Sequence, residues 1–176
     1  MWKNYEYFIK AILPVAEEAG VRMGLHPDDP PVSPLLGYSR ILTSADAYRR
    51  SLGLSLSPSH GVTFRQATFK AMGEDVFELI PVLNQVQDAA RIVFGHFRDT
   101  DGTKECFRET FHDNGPTDMA DFLAVCRDAG LDVLIRPDHT PTMAGEDNTN
   151  PGYAMHGNLF AVGYMKGLMD ALPIPY

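Results

Sequence analysis

Four times along this chain a short, mostly apolar run ends in a cluster of polar residues, and a helical pattern follows. The runs are residues 21–25, 61–64, 91–94 and 131–135. Their exits are His26-Pro27-Asp28-Asp29, Arg65-Gln66, Gly95-His96-Phe97-Arg98-Asp99 and Arg136-Pro137-Asp138-His139. Strands buried on both faces read as near-continuous apolar runs, and their alternation with helices predicts an α/β fold with a parallel sheet. In such a sheet every strand exit lies on one side, so residues far apart in sequence converge there. That repetition predicts four βα units, preceded by a helix.

The helical stretches have their own signatures. Residues 4–19 place Tyr5, Phe8, Ile9, Ile12, Leu13 and Val15 near helical spacing, interrupted by Pro14 and stopped by Gly20. Ser44 is a natural N-cap for a short helix over 45–52. Val76, Leu79, Ile80 and Leu83 share one face of a helix over 75–87, with Pro81 as a blemish. Asp118 caps a helix over 118–129 that ends at Gly130, and a closing helix over 158–172 stops at Pro173. The polar excursion over 100–116 reads as a β-hairpin. Pro30 and Pro31 cannot continue a ladder, so the first exit is a loop. No linker-like stretch divides residues 1–176, which predicts one domain.

Charge and composition exclude several function classes. The net charge is −8 and no Lys/Arg cluster occurs, which argues against nucleic acid and against anionic membranes. Cys106 and Cys126 lack metal-knuckle spacing and read as plain thiols. No apolar run approaches the length of a membrane span, and no basic-then-apolar leader opens the chain, so a cytoplasmic location is expected. Phosphate-loop, dinucleotide and nucleophile-elbow patterns are missing as well.

The strand exits hold the chemistry. His26, His96 and Asp138 bring two imidazoles and a carboxylate from three exits, a mixed N/O set suited to Mn²⁺, Fe²⁺, Co²⁺ or Zn²⁺ rather than Ca²⁺. Each histidine alone reads as a hydrogen-bonded structural residue, and their convergence is what favours a site. His60 stands at a strand entrance and is expected to be structural. His156 lies in a loop beside the last helix, as a supporting residue or a bystander. Asp28 and Asp29 fit solvated loop charges as well as substrate contacts.

Taken together, Leu25-His26-Pro27-Asp28-Asp29-Pro30-Pro31, Gly61-Val62-Thr63-Phe64, His96-Phe97-Arg98, Arg136-Pro137-Asp138-His139 and Asn150-Pro151-Gly152-Tyr153 resemble the C-terminal half of the mannonate dehydratase family. The resemblance covers residues 2–172. It implies half of a (βα)₈ TIM barrel of the xylose-isomerase-like kind, a divalent metal, usually Mn²⁺, and dehydration of D-mannonate to 2-keto-3-deoxygluconate. It places His26, His96 and Asp138 on metal-ligand positions and His139 and Tyr153 on positions of proton transfer. His112 matches a further active-site loop. Arg65, Arg98 and Arg136 become candidates for substrate binding, with Arg40 as another clamp for a carboxylate.

Two departures stand out. Family members carry a metal-binding cysteine where this chain has Arg65. A guanidinium has no lone pair to give, so it repels a metal or stands in for its charge beside Asp138 or a substrate carboxylate. The cofactor expectation is therefore Mn²⁺ or none. The other departure is that the barrel's first half does not precede Met1, which exposes two sheet edges. A homodimer that buries them is expected, or else the chain packs its own helices and loops over them. The functional expectation is metal-assisted dehydration of a sugar acid. Its alternative is an inactive half-barrel remnant that binds a small anion or serves in assembly.

Overall fold

The computed structural model describes residues 1–86 and 90–173. Its centre is the strand β2 (His60–Arg65), whose six residues are all buried. β1 (Met23–Leu25) pairs with one edge of β2, and β3 (Ile92–Phe97) with the other. β6 (Ile135–Pro137) completes a parallel sheet in the order β1-β2-β3-β6. The antiparallel hairpin β4 (Asp99–Thr103) and β5 (Cys106–Thr110) stands apart, as the polar excursion predicts.

Alternation along β2 sorts its side chains. Val62 and Phe64 enter a core with Leu52, Phe69, Leu83 and Phe122, while Thr63 and Arg65 share the opposite face. Two glycines let the strands close up on that face. A Cβ on Gly24 would stand 2.5 Å from Thr63 Oγ1, and one on Gly61 would stand 2.6 Å from the Arg91 carbonyl.

α1 (Trp2–Glu18) buries Ile9, Leu13 and Ala16 and runs through Pro14 without ending there. Gly20, at φ +66°, supplies the left-handed turn that follows it. α2 (Ala45–Leu52) begins where the Ser44 hydroxyl accepts from the Ala47 amide at 3.2 Å. α4 (Val76–Asn84) is capped by Asp75 and ends three residues short of the predicted boundary, and residue 87 lies outside the described residues. α5 (Met119–Asp128) is capped by Asp118, and α6 (Met155–Ala171) begins three residues ahead of the predicted start.

Three boundaries depart further from expectation. α3 (Gln66–Ala71) follows β2 directly; Arg65 offers it no side-chain cap, so the sequence carries no start signal. β3 extends through His96 to Phe97 because β6 pairs with it there, Gly95 with Ile135 and Phe97 with Pro137. The predicted strand over 131–135 is corrected to Ile135–Pro137. β6 lies at the sheet edge, with Leu134 78% exposed, and this part of the apolar run has no second neighbour to pair with. Among the described residues no helix is long and apolar enough to cross a membrane.

Candidate active site

The parallel topology brings the four strand exits to one rim, around a cavity of about 340 Å³. His26 follows the last residue of β1, Arg65 ends β2, His96 lies near the end of β3, and Asp138 and His139 follow β6. All five line the cavity, joined by Asp29, Arg40, Arg136 and Tyr153. A larger cavity, about 830 Å³, opens beside α5 and residues 130–135, but its wall is mainly apolar and it holds none of these groups. Convergent polar side chains mark the smaller one as the site.

A buried ion network fixes the cavity floor. Arg65, 4% exposed, donates from Nε to Asp138 Oδ2 at 2.6 Å and also pairs with Asp29. Arg98, 1% exposed, reaches both Asp29 oxygens at 3.1 and 3.0 Å and pairs with Glu109 on β5. Burial by itself raises the pKa of Asp138, but Arg65, then His139 and Arg98, outweigh it and hold the carboxyl below its ordinary range. Asp28 works differently, accepting from Arg40 Nε at 2.8 Å and from the Leu42 amide at 2.9 Å, which ties down the first exit loop.

Hydrogen-bond partners decide two histidine tautomers. His26 Nδ1 lies 2.8 Å from the Pro27 carbonyl, which only accepts, so Nδ1 carries the proton and Nε2 keeps its lone pair. His139 Nδ1 lies 2.6 Å from Arg98 Nη1, which only donates, so this nitrogen accepts. His139 therefore carries its proton on Nε2 and donates it to the Tyr153 oxygen at 2.8 Å. Glu109 stands 3.2 Å from the same Nδ1 as a rival acceptor, but the shorter Arg98 contact decides. Burial lowers His26, and it pushes His96 down to about 4, so both imidazoles are neutral at pH 7.

The sequence-predicted residues thus separate into two groups. His26, His96, Asp138, His139, Tyr153, Arg65 and Arg136 meet at the cavity. Arg98 and His112 stand behind its wall. His112, 1% exposed, donates from Nε2 to the Phe97 carbonyl at 2.7 Å and is kept neutral by burial. His60, as expected, is buried and bonded to Tyr5 at 3.2 Å, and His156 is exposed beside Glu146. Glu109 went unrecognised because it sits within the hairpin, where a lone carboxylate carries no motif.

The three residues on implied metal positions do not fit a metal as this chain holds them. Asp138 Oδ2 is already taken by Arg65, and among the described residues no group of three His, Cys, Asp or Glu is placed to hold an ion. A dication there would meet the like charge of this guanidinium and could take Asp138 Oδ2 only by displacing it.

Comparison with known proteins places this geometry. The family model for D-mannonate dehydratase (UxuA) matches residues 1–174. The chain belongs to the D-mannonate dehydratase family. The mannonate dehydratase of Streptococcus uberis is 33% identical over 175 residues, 98% of this chain and 49% of its own length. That of Streptococcus suis strain 05ZYH33 is 35% identical over 173 residues, 97% of this chain and 46% of its own. The chain therefore spans about half the length of the curated relatives it matches. The crystal structure of mannonate dehydratase from Streptococcus suis serotype 2 superposes with a TM-score of 0.88 at 36% identity, covering 97% of this chain and 49% of that one. A D-tagatose 3-epimerase-like protein shares the fold at a TM-score of 0.68 and 14% identity, with 96% of this chain and 54% of that one covered. The four parallel strands and their helices form half of a TIM-type barrel.

Proposed function

We propose that this chain supplies the C-terminal half of a sugar-acid dehydratase site whose substrate is D-mannonate or a close aldonic acid. Family membership supports the reaction class. The observation that carries the reading is the His139–Tyr153 pair at 2.8 Å on the rim of a cavity walled by arginines.

Dehydration removes a proton from the carbon beside the carboxylate and a hydroxyl from the next carbon. The departing hydroxyl needs an acid. Tyr153 suits that role, since its oxygen accepts from His139 and its own proton stays available for the ligand. The His139 Nε2–H orients the phenol and stabilises the phenolate left behind, which solvent reprotonates after the hydroxyl has departed as water. His26, neutral and with its Nε2 lone pair on the same cavity, is the base in this reading. Arg136, exposed and with no ion pair among the described residues, is placed to meet the substrate carboxylate.

A cytoplasmic homodimer that handles a small anionic sugar acid, and neither nucleic acid nor membrane, completes the proposal. The net charge of −8 and the two open sheet edges support it. The test is incubation with D-mannonate and detection of 2-keto-3-deoxygluconate, beside Tyr153→Phe. Product formed by the native chain and lost in the variant is the expected result. Binding without product would leave an anion-binding remnant in its place.

A further inference from the structure

We propose that the Arg65 guanidinium takes the place of a divalent ion, so that the cavity binds a hydroxy-carboxylate without metal. This rests on the sugar-acid reading above and specifies where the positive charge comes from.

Position comes first. Arg65 shares the inner face of β2 with Thr63, pairs in register with His96 and contacts Asp138. It therefore sits between two of the residues that the family resemblance assigns to metal. Burial and clamping then fix it there. Asp29 and Asp138 hold it, and Arg98 reaches Asp29 at 3.0 Å and lies 3.5 Å from Asp138, closing the network behind it. Swinging aside for an ion would strip buried Asp138 of its 2.6 Å partner and leave it and the part-exposed Asp29 to Arg98 alone.

Donor arithmetic shows what it offers instead. A guanidinium has five N–H groups. Here Nε and one hydrogen of Nη2 go to Asp138, and one hydrogen of Nη1 goes to Asp29. One hydrogen on Nη1 is left over, and the second on Nη2 faces only the protonated His139 Nε2 at 3.4 Å, so both remain for oxygens of a carboxylate or of the enediolate formed from it. Charge is compatible. Arg40, Arg65 and Arg136 line the cavity with Asp29 and Asp138, and Asp28 pairs with Arg40 at 2.8 Å, so the charges balance and Arg136 is left without an ion pair among the described residues. Arg136 adds to the leftover donors of Arg65 in meeting an anion.

The experiment combines metal analysis with calorimetric titration of D-mannonate into the full chain, in EDTA and in MnCl₂, for native protein and Arg65→Cys. The native chain is expected to hold substoichiometric Mn²⁺ and to bind D-mannonate equally well in both buffers. In Arg65→Cys a thiolate stands beside His96 and Asp138. It should gain about one Mn²⁺ per chain and bind D-mannonate roughly tenfold or more weakly in EDTA than in MnCl₂. Stoichiometric Mn²⁺ on the native chain, or native binding abolished by EDTA, overturns the proposal, and neither result depends on the variant folding. Should the native chain ignore D-mannonate while Mn²⁺ still binds only Arg65→Cys, the replacement of metal by Arg65 stands and the sugar-acid reading falls.

Discussion

The Tyr153 phenol oxygen lies 2.8 Å from His139 Nε2, and the two rings meet edge to face with centroids 4.9 Å apart. Behind the imidazole, Arg98 donates to Nδ1 at 2.6 Å, which keeps the proton on the Tyr153 side. Tyr153→Phe deletes the ligand-facing proton while keeping the ring. Loss of a positioned general acid slows turnover by roughly 10²–10⁴. With D-mannonate as substrate, kcat should fall by that factor and KM should change little, in initial-rate measurements. A variant that turns over like the native chain would remove Tyr153 from the chemistry.

Asp99, at the root of the hairpin, is fully buried and accepts from five groups: Lys70 Nζ at 2.8 Å, the Thr100 amide at 2.9 Å, the Thr117 amide at 2.6 Å, the Thr117 hydroxyl at 3.0 Å and Gln66 Nε2 at 3.5 Å. Asp99→Ala leaves a partly buried ammonium and three donors from Thr100 and Thr117 without this acceptor. Breaking a buried pair from one side costs about 3–5 kcal/mol, so the urea midpoint should drop accordingly. The same variant should loosen β5 and with it the Glu109 contact to Arg98. An unchanged midpoint would mean that water replaces the carboxylate at no loss.

The sheet and its working rim were legible in the sequence because each apolar run hands over to polar residues at the strand exit, and parallel topology does the rest. His26, His96, Asp138, His139 and Tyr153 all reach one cavity for that reason. What stayed hidden depends on distant partners. Arg98 at a strand exit reads as a clamp for ligand, yet it is drawn under the wall by Asp29, 69 residues away in the chain. Glu109 joins the site only because Asp99 anchors its hairpin beside β3. α3 lacks a capping side chain, and β6 is confined to three residues at a sheet edge whose identity no local pattern reveals.

Four histidines make stability depend on pH. His26, His60, His96 and His112 are all lowered from an ordinary value of 6.5, chiefly by burial, and His96 reaches about 4. Their folded pKa values lie below the unfolded one, so on acidification the unfolded chain takes up protons first. The stabilisation is complete above about 6.5 and is lost as pH falls from there towards 4. Calorimetric scans should show Tm decreasing from pH 7 to pH 5, with a shallower slope in His60→Gln, a residue remote from the cavity. A Tm that stays flat or rises over that interval contradicts imidazoles held neutral by the fold, those of buried His60 and His112 above all.

Both sheet edges, β1 and β6, are three residues long and carry apolar neighbours in the open: Val21 is 51% exposed and Leu134 78%. On the helices, Tyr7 is 79% exposed, Phe8 51% and Leu159 61%. Unpaired edges and exposed apolar side chains of this size favour association, and a second copy that meets them edge to edge removes both liabilities at once. Light scattering should therefore give twice the chain mass at micromolar concentration. Leu134→Lys puts a charge on the most exposed part of the β6 edge without touching the core, so it should shift the protein to monomer while Tm changes by only a few degrees. A native chain that scatters as a monomer at every concentration would show that its own helices and loops protect those edges sufficiently.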